Sequence, residues 1–564
     1  MRVSVPHRVF RPAIGLAVVT AFSAAGIPLT SMAASSSPPS VVRYPVTNTG
    51  IAAQVTARSN SAHSASPSTR ERGVRTMPAA HRAATGGRTT VPVTADAAGQ
   101  GGDGTQPGDS RSGGALLRHF NGVSSLDSEL TNFGARFEPP DQGLCEGNGF
   151  VLEAVNSAYS IYRRDGAPIA GPFNVNDLFQ RDGLAYTTDP RCYFDPTTRT
   201  WIATIAFIAD DNSSSTIDIA VNPSGDPTTA WTVYRLDTTD AGGPGCPCFG
   251  DQPRFGIDDF NLYLSSDEFS ILGPEFNGGQ LYAVSKRDLV RRRPALHFAH
   301  FGNLTMAGIV PGAIEPAITN GPAPAEYFLN SLDPDGTFDN RIGVWAMTNR
   351  EDLADGQVPT LLSVVIGSET YGVPPRAVQK GASATLDSGD DRMQQAQFIN
   401  GTLWGELGTA LSIAGDPTVR AGAAWFNVRP SLDEEEVLSA RMIRQGYVAS
   451  RGNYLLYPAL QADQLGNAAM VVTISGATRY PSAAFAVMRS NQSGFGPVTV
   501  AAVGSGPYHP RPNKPGRWGD YSWAQLDPAT DTVWLATEYV PPRSSQTKDR
   551  MRNWGTEVLE VKLG

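Results

Sequence analysis

Carboxylates and guanidiniums recur in this chain at short spacing beside proline or one another. Asp189 and Arg191 flank Pro190, Asp251 and Arg254 bracket Gln252-Pro253, Asp391 precedes Arg392, and Arg517-Trp518-Gly519-Asp520-Tyr521 lies near the C-terminus. Gathered in one concave place, Asp189, Arg191, Asp251, Arg254, Asp391, Arg392, Arg517, Asp520 and Tyr521 would bind a sugar or an anion, or a hard cation where the carboxylates converge. Two carboxyl groups a few ångströms apart are also the equipment of glycoside hydrolysis. The competing account is structural, because an Asp repeated at strand entries caps each turn by accepting backbone N–H bonds. A catalytic pair more often breaks a repeat than follows it, so the sequence assigns no catalytic residue.

Other candidates for chemistry are sparser. Ser331-Leu332-Asp333-Pro334-Asp335-Gly336-Thr337-Phe338 reads as a Pro-Asp-Gly turn. Its second reading is a calcium loop using Asp333, Asp335 and Asp339, calcium being the one cofactor the sequence suggests. His297 and His300 lie three apart in a strand-like segment, where alternation sends them to opposite faces and away from a common metal. Cys145, Cys192, Cys246 and Cys248 allow two disulfides in three connectivities. A zinc site fits them less well, since Cys246-Pro247-Cys248 has a single residue between its sulfurs. No GxxxxGK, HExxH or GxSxG occurs, which removes the commonest NTPase, zinc-protease and α/β-hydrolase readings.

The elements that would position these residues are strands. After Ala115 the sequence runs in short alternating apolar segments broken by Gly, Pro, Asn and Asp, and only Leu432 to Ile443 reads as a short helix. An acidic or polar residue, an apolar strand, a turn and a second strand recur with starts near 141, 189, 251, 315, 391, 457 and 520. A later strand repeats as often, at Tyr159 to Arg163, Ile217 to Asn222, Leu281 to Lys286, Ile342 to Thr348, Ala423 to Arg429, Ala483 to Arg489 and Glu557 to Lys562. Most copies continue into a fourth strand, such as Trp231 to Leu236, but the last copy ends at Gly564. Leu116 to Val123, which precedes the first copy, has no unit of its own.

The expected fold is therefore all-β: a seven-bladed β-propeller of four-stranded blades over residues 116–564, closed by the strand 116–123 on the last blade. In such a ring the inner strands face a central channel, and the Asp and Arg residues at their entries would gather at one mouth.

The N-terminus indicates a compartment. Arg2, Arg8 and Arg11 precede an apolar run from Ala13 to Ile27 and then Ser31-Met32-Ala33, the pattern of a secretory signal peptide over residues 1–33. The run is too short for a membrane-spanning helix. Residues 34–115, rich in Ser, Thr, Ala, Pro and Gly, are expected to form a disordered stalk. With a net charge of −9 and basic residues concentrated before residue 116, the body is acidic, which argues against nucleic-acid binding. Oxidised cysteines suit a secreted, extracellular or envelope-associated protein.

Several motifs carry a resemblance: Pro139-Pro140-Asp141, Gly147-Asn148-Gly149, Val155-Asn156, Ala220-Val221-Asn222, Trp231-Thr232-Val233-Tyr234 and Arg517-Trp518-Gly519-Asp520-Tyr521-Ser522. From Pro139 onward the chain resembles a group of secreted bacterial β-propeller proteins that is distantly sialidase-like. The sialidase Ser-x-Asp-x-Gly-x-Thr-Trp turn is approached only at Ser331 to Phe338, with Gly displaced and Phe in place of Trp. The resemblance implies a propeller that binds an extracellular glycan or protein at one face of the ring. Its alternatives are a sialidase-like glycoside hydrolase using central-funnel carboxylates and a structural or adhesive module without catalysis.

Overall fold

The computed structural model describes residues 115–564, apart from 244, 334–335, 511–515 and 543–550, together with the backbone of three short strands at Val42–Arg43, Ile51–Thr56 and Gln100–Gly101. The signal peptide expected over residues 1–33 and nearly all of the stalk expected over residues 34–115 lie outside the described residues. Among the described residues no helix is long and apolar enough to cross a membrane.

Strands follow one another as four-strand antiparallel meanders. The first is Gly143–Gly147, Phe150–Ala154, Ala158–Arg163 and Pro168–Asn174, and the second is Tyr186–Asp195, Thr200–Ile208, Ser215–Asn222 and Thr232–Asp237. Four more begin with the inner strands Cys248–Ile257, Glu315–Asn320, Met393–Ile399 and Asn453–Ala462. A small hairpin, Ala377–Gln379 with Ala382–Leu386, is inserted before Met393. The last meander supplies three strands in sequence, Trp523–Asp527, Thr532–Tyr539 and Gly555–Lys562. Its fourth is Ala115–Ser124, which runs antiparallel to Gly555–Lys562 with Phe120 opposite Val558.

Each meander has a residue in the left-handed region shortly before or within its first strand: Asp141, Asp189, Gln252, Ala313, Gly389, Tyr457 and Gly519. The recurrent sequence start is therefore a backbone feature, a local reversal that re-aims the strand, which Asp tolerates better than most side chains. Apolar faces of neighbouring sheets pack on one another. One core joins Leu144, Ile202, Leu262 and Trp534 from four different meanders.

Two expectations are corrected. Leu432 to Ile443 is no helix: Arg420–Leu432 and Leu438–Ser450 form a hairpin whose turn is set by Asp433 Oδ1, which accepts the N–H groups of Glu435 and Val437. Strand pairing overrides the helix preference of an acidic run, and the acids become a solvated turn. The sheets are also not all separate. The strand Glu315–Asn320 pairs in parallel with both Cys248–Ile257 and Met393–Ile399, fusing three meanders into a larger mixed sheet. Close approach is possible because Gly256 has no side chain: a Cβ there would lie 2.5 Å from both the Ala317 carbonyl oxygen and the Pro316 Cβ. Gly143 is similarly placed, 2.8 Å from the Pro190 oxygen.

Both disulfides expected of an oxidising compartment are present. Cys145–Cys192 joins the inner strands of the first two meanders across a sequence separation of 47, whereas Cys246–Cys248 spans a separation of 2. Replacing Cys145 and Cys192 together by Ala is expected to lower unfolding free energy by about 4 kcal/mol, from the loop-closure entropy of a segment that long. Denaturant titration of the two proteins measures the difference.

At the seam between first and last meanders, Arg164 serves three carboxylates: Asp527 and Glu560 at 2.8 Å each, and Glu146 at 3.3 Å. One guanidinium cannot neutralise three acids, and burial, then the Asp527 charge, pushes Glu146 up to about 8. A carboxyl raised in the fold stabilises the protein below its unfolded value and loses that contribution as pH rises through the folded value. Glu146→Gln is therefore expected to be close to neutral at pH 5 and stabilising by on the order of 3 kcal/mol at pH 8. Melting curves at the two pH values check the sign.

Candidate functional site

Four of the strand-entry aspartates meet. Asp141 and Asp189 are nearly fully buried and Asp251 and Asp520 half-exposed. A relay of hydrogen bonds links three of them, Asp520, Asp141 and Asp189. The Asp520 N–H donates to Asp141 Oδ1 at 2.6 Å, Asn156 Nδ2 donates to Asp141 Oδ2 at 2.7 Å, and the Asp189 N–H donates to Asn156 Oδ1 at 2.7 Å. Residues from the entries of three different meanders are thereby locked into one constellation. Part of the structural account of the repeated Asp holds, since Asp141 does cap backbone, yet Asp251 and Asp520 keep exposed carboxylate surface.

Two arginines stand among them. Arg517 Nη2 donates to Asp520 Oδ2 at 2.7 Å. Arg392 holds Asp390 through two bonds of 2.7 and 2.6 Å and also donates to Gln252 Oε1. Beneath this layer Arg254 reaches Asp267 at 2.8 Å and Glu315 at 2.7 Å, with no exposed side-chain surface. Arg191 donates to the Pro253 carbonyl at 3.2 Å and lies 3.2 Å over the ring of Tyr521. The Tyr521 hydroxyl donates to the Pro190 carbonyl, and burial holds the phenol well above its ordinary value, so it is fixed and neutral.

Crowding of acids in a desolvated place raises their protonation equilibria. Burial, then the charges of Asp520 and Asp189, holds Asp141 well above the usual carboxylate range. Burial and Asp189 push Asp251 up to about 7, with Arg392 opposing. Asp520 is raised less, to about 6, by burial opposed chiefly by Arg517.

The structure thus brings Asp189, Asp251, Arg392, Arg517 and Asp520 together and sets Arg191, Arg254 and Tyr521 below them as support. Asp391 is placed elsewhere: it is 3% exposed and its carboxyl faces Asp333, which with burial raises it strongly. Asp333 Oδ1 accepts from Thr337, and both oxygens of Asp339 are held by Arg341 at 3.0 and 2.6 Å, while Asp335 lies outside the described residues. His297 bonds Asp288 and His300 bonds Gln280, each separately. Among the described residues the only three metal-capable side chains whose ligand atoms all lie within 4.8 Å of one another are Cys246, Cys248 and Glu268, so no three of the aspartates come that close.

The sequence does not single out Asp141, Asn156, Gln252 or Asp390 as site residues, although the structure places them there. Asp141 was within reach, because it opens the first copy of the same repeat. Asn156 offered no such signal, since its role depends on bridging two entries 48 residues apart.

No protein-family model matches the sequence, and no curated protein matches it. Structural neighbours include the α-L-arabinofuranosidase Arb93A from Fusarium graminearum, at 10% identity over 79% of this chain and 97% of that chain, with a TM-score of 0.33. The hemagglutinin-neuraminidase ectodomain of parainfluenza virus 5 matches at 10% identity over 67% of this chain and 82% of that one, with a TM-score of 0.35. The sialidase of Trypanosoma rangeli matches at 9% identity over 75% and 58%, with a TM-score of 0.32. At overlaps this small they bear on neither substrate nor reaction.

Proposed function

We propose that this chain is an exported, closed seven-bladed β-propeller that binds an uncharged glycan at one mouth of its central channel. The observation that carries the reading is the convergence of Asp141, Asp189, Asp251 and Asp520 from different strand entries around Arg517 and Arg392. Carboxylates outnumber the guanidiniums there, and Arg517 and Arg392 each face a carboxylate partner. Such a surface accepts sugar hydroxyl donors and repels an anionic sugar, so a neutral oligosaccharide fits better than a sialic acid. Tyr521, donating to a backbone carbonyl beneath Arg191, is not placed as a nucleophile.

A second reading, glycoside hydrolysis, is favoured by one feature: Asp251 and Asp520 are half-exposed members of one interacting set of acids, both raised, to about 7 and about 6. One can hold a proton while the other is ionised, which is the division of labour between general acid and base.

A glycan array holding neutral and sialylated glycans, together with a panel of fluorogenic glycosides, tests both. The expected result is a hit that Asp520→Asn weakens strongly, because it removes the charge paired with Arg517 and puts an amide donor in place of one acceptor at the mouth. A hit that survives Asp520→Asn unchanged, or one confined to sialylated glycans, removes the mouth from the account.

A further inference from the structure

A second cluster lies outside the mouth. Cys246–Cys248 closes a ring over one intervening residue, and disulfide stabilisation grows with loop length, so this bond contributes little as a staple beside Cys145–Cys192. Cys246 is half-buried, whereas Cys248 is buried and opens the inner strand Cys248–Ile257 that also carries Asp251. Two polar side chains address the sulfurs. Asn277 Nδ2 is 3.5 Å from Cys246 Sγ and 3.3 Å from Cys248 Sγ, and Glu268 Oε1 is 3.7 Å from Cys246 Sγ. The same amide donates to Glu268 Oε1 at 3.0 Å. Glu268 is 3% exposed, and its Oε2 has no hydrogen-bond partner among the described residues. A carboxyl desolvated against a disulfide is costly as scaffolding, since an apolar side chain would fill the space better. It is suited to passing a proton to a sulfur.

We propose that Cys246–Cys248 is an exchangeable disulfide that oxidises small dithiols, with Glu268 as the proton carrier and Asn277 steadying the departing thiolate. A thiolate of the dithiol attacks the accessible Cys246 Sγ. The new mixed disulfide forms as the Cys246–Cys248 bond breaks, and the electron pair leaves on Cys248 Sγ, which lies 3.3 Å from the Asn277 amide and within 4.8 Å of a Glu268 carboxyl oxygen, from which it takes a proton. The second thiolate of the dithiol then attacks its own bound sulfur and releases Cys246 as a thiolate, which is protonated from water. The dithiol leaves as a cyclic disulfide, two electrons having passed to the protein. Burial raises the Glu268 carboxyl to about 7, opposed by the Asn277 hydrogen bond, so that near neutrality it can both give and recover a proton.

The folded protein treated with dithiothreitol and then iodoacetamide, with the label located by mass spectrometry, tests this. Cys246 and Cys248 are expected to be alkylated within minutes while Cys145 and Cys192 stay unlabelled. Glu268→Gln is expected to slow the labelling by about tenfold or more with an unchanged melting curve, and Asn277→Ala, a second variant should the first fold poorly, to slow it as well. Labelling of Cys246 and Cys248 only after denaturant is added overturns the proposal. Native labelling rates in both folded variants overturn the assigned roles of Glu268 and Asn277.

Discussion

A chain that begins at residue 125 is expected to aggregate, whereas one that begins at residue 115 should elute as a folded monomer. Ala115–Ser124 is the fourth strand of the last meander, and without it Gly555–Lys562 presents a row of unpaired backbone groups to solvent. Such an edge recruits other chains. The strand also satisfies buried acids. Arg118 reaches Glu560 at 2.7 Å and His119 reaches Glu557 at 2.6 Å, and both glutamates are almost inaccessible. The Val123 N–H donates to Glu153, fully buried in the first meander, and Phe120 packs on Tyr162 at 5.3 Å between ring centroids. Removing donors from buried carboxyls costs about 3–5 kcal/mol where no other partner replaces them. Glu560 keeps Arg164, but losing the His119 and Val123 donors together with a strand ladder removes most of the margin of an ordinary domain. Size-exclusion chromatography with light scattering distinguishes the two truncations, and a monomeric residue-125 chain with an unaltered melting midpoint would falsify the expectation.

That strand was legible because a sequence count left one segment over at the start and one position empty at the end. Periodicity told where the third strands lie, since alternating apolar residues from Ala158 to Arg163 or Gly555 to Lys562 have one way to face a core. The Asp entries were legible for a related reason. A left-handed residue is needed beside each inner strand, and Asp fills that position at 141 and 189. Pattern failed where the structure answers to distant neighbours. The acidic run after Leu432 has helix preference, but Arg420–Leu432 offered a pairing partner that no local signal announces. The parallel joining through Glu315–Asn320 depends on Gly256 facing Ala317, two small residues 61 positions apart. Asp391 repeats the motif and yet is buried against Asp333, while its neighbours Asp390 and Arg392 pair with each other.

Asp251→Asn is expected to separate binding from turnover. The asparagine retains the shape of the side chain and one carbonyl acceptor, so a neutral glycan should keep its affinity within a few-fold. What disappears is a proton that burial and Asp189 hold on the carboxyl up to about pH 7. If the mouth cleaves glycosidic bonds with Asp251 as acid and Asp520 as base, turnover falls by about 10²- to 10⁴-fold in this variant. The wild-type rate should then peak between pH 6 and 7, where Asp520, raised to about 6, is ionised and Asp251 remains protonated. Because the acids interact, the two limbs belong to the set of carboxyls and not to single residues, and Asp520→Asn should erase the acidic limb while also freeing Arg517 from its 2.7 Å partner. A binding module gives a different pattern: no turnover by any variant, and a large affinity loss confined to Asp520→Asn. Rate profiles against pH, with affinities from the same glycan measured by calorimetry, divide these cases, and a wild-type rate that is flat from pH 5 to 8 sinks the acid and base assignment.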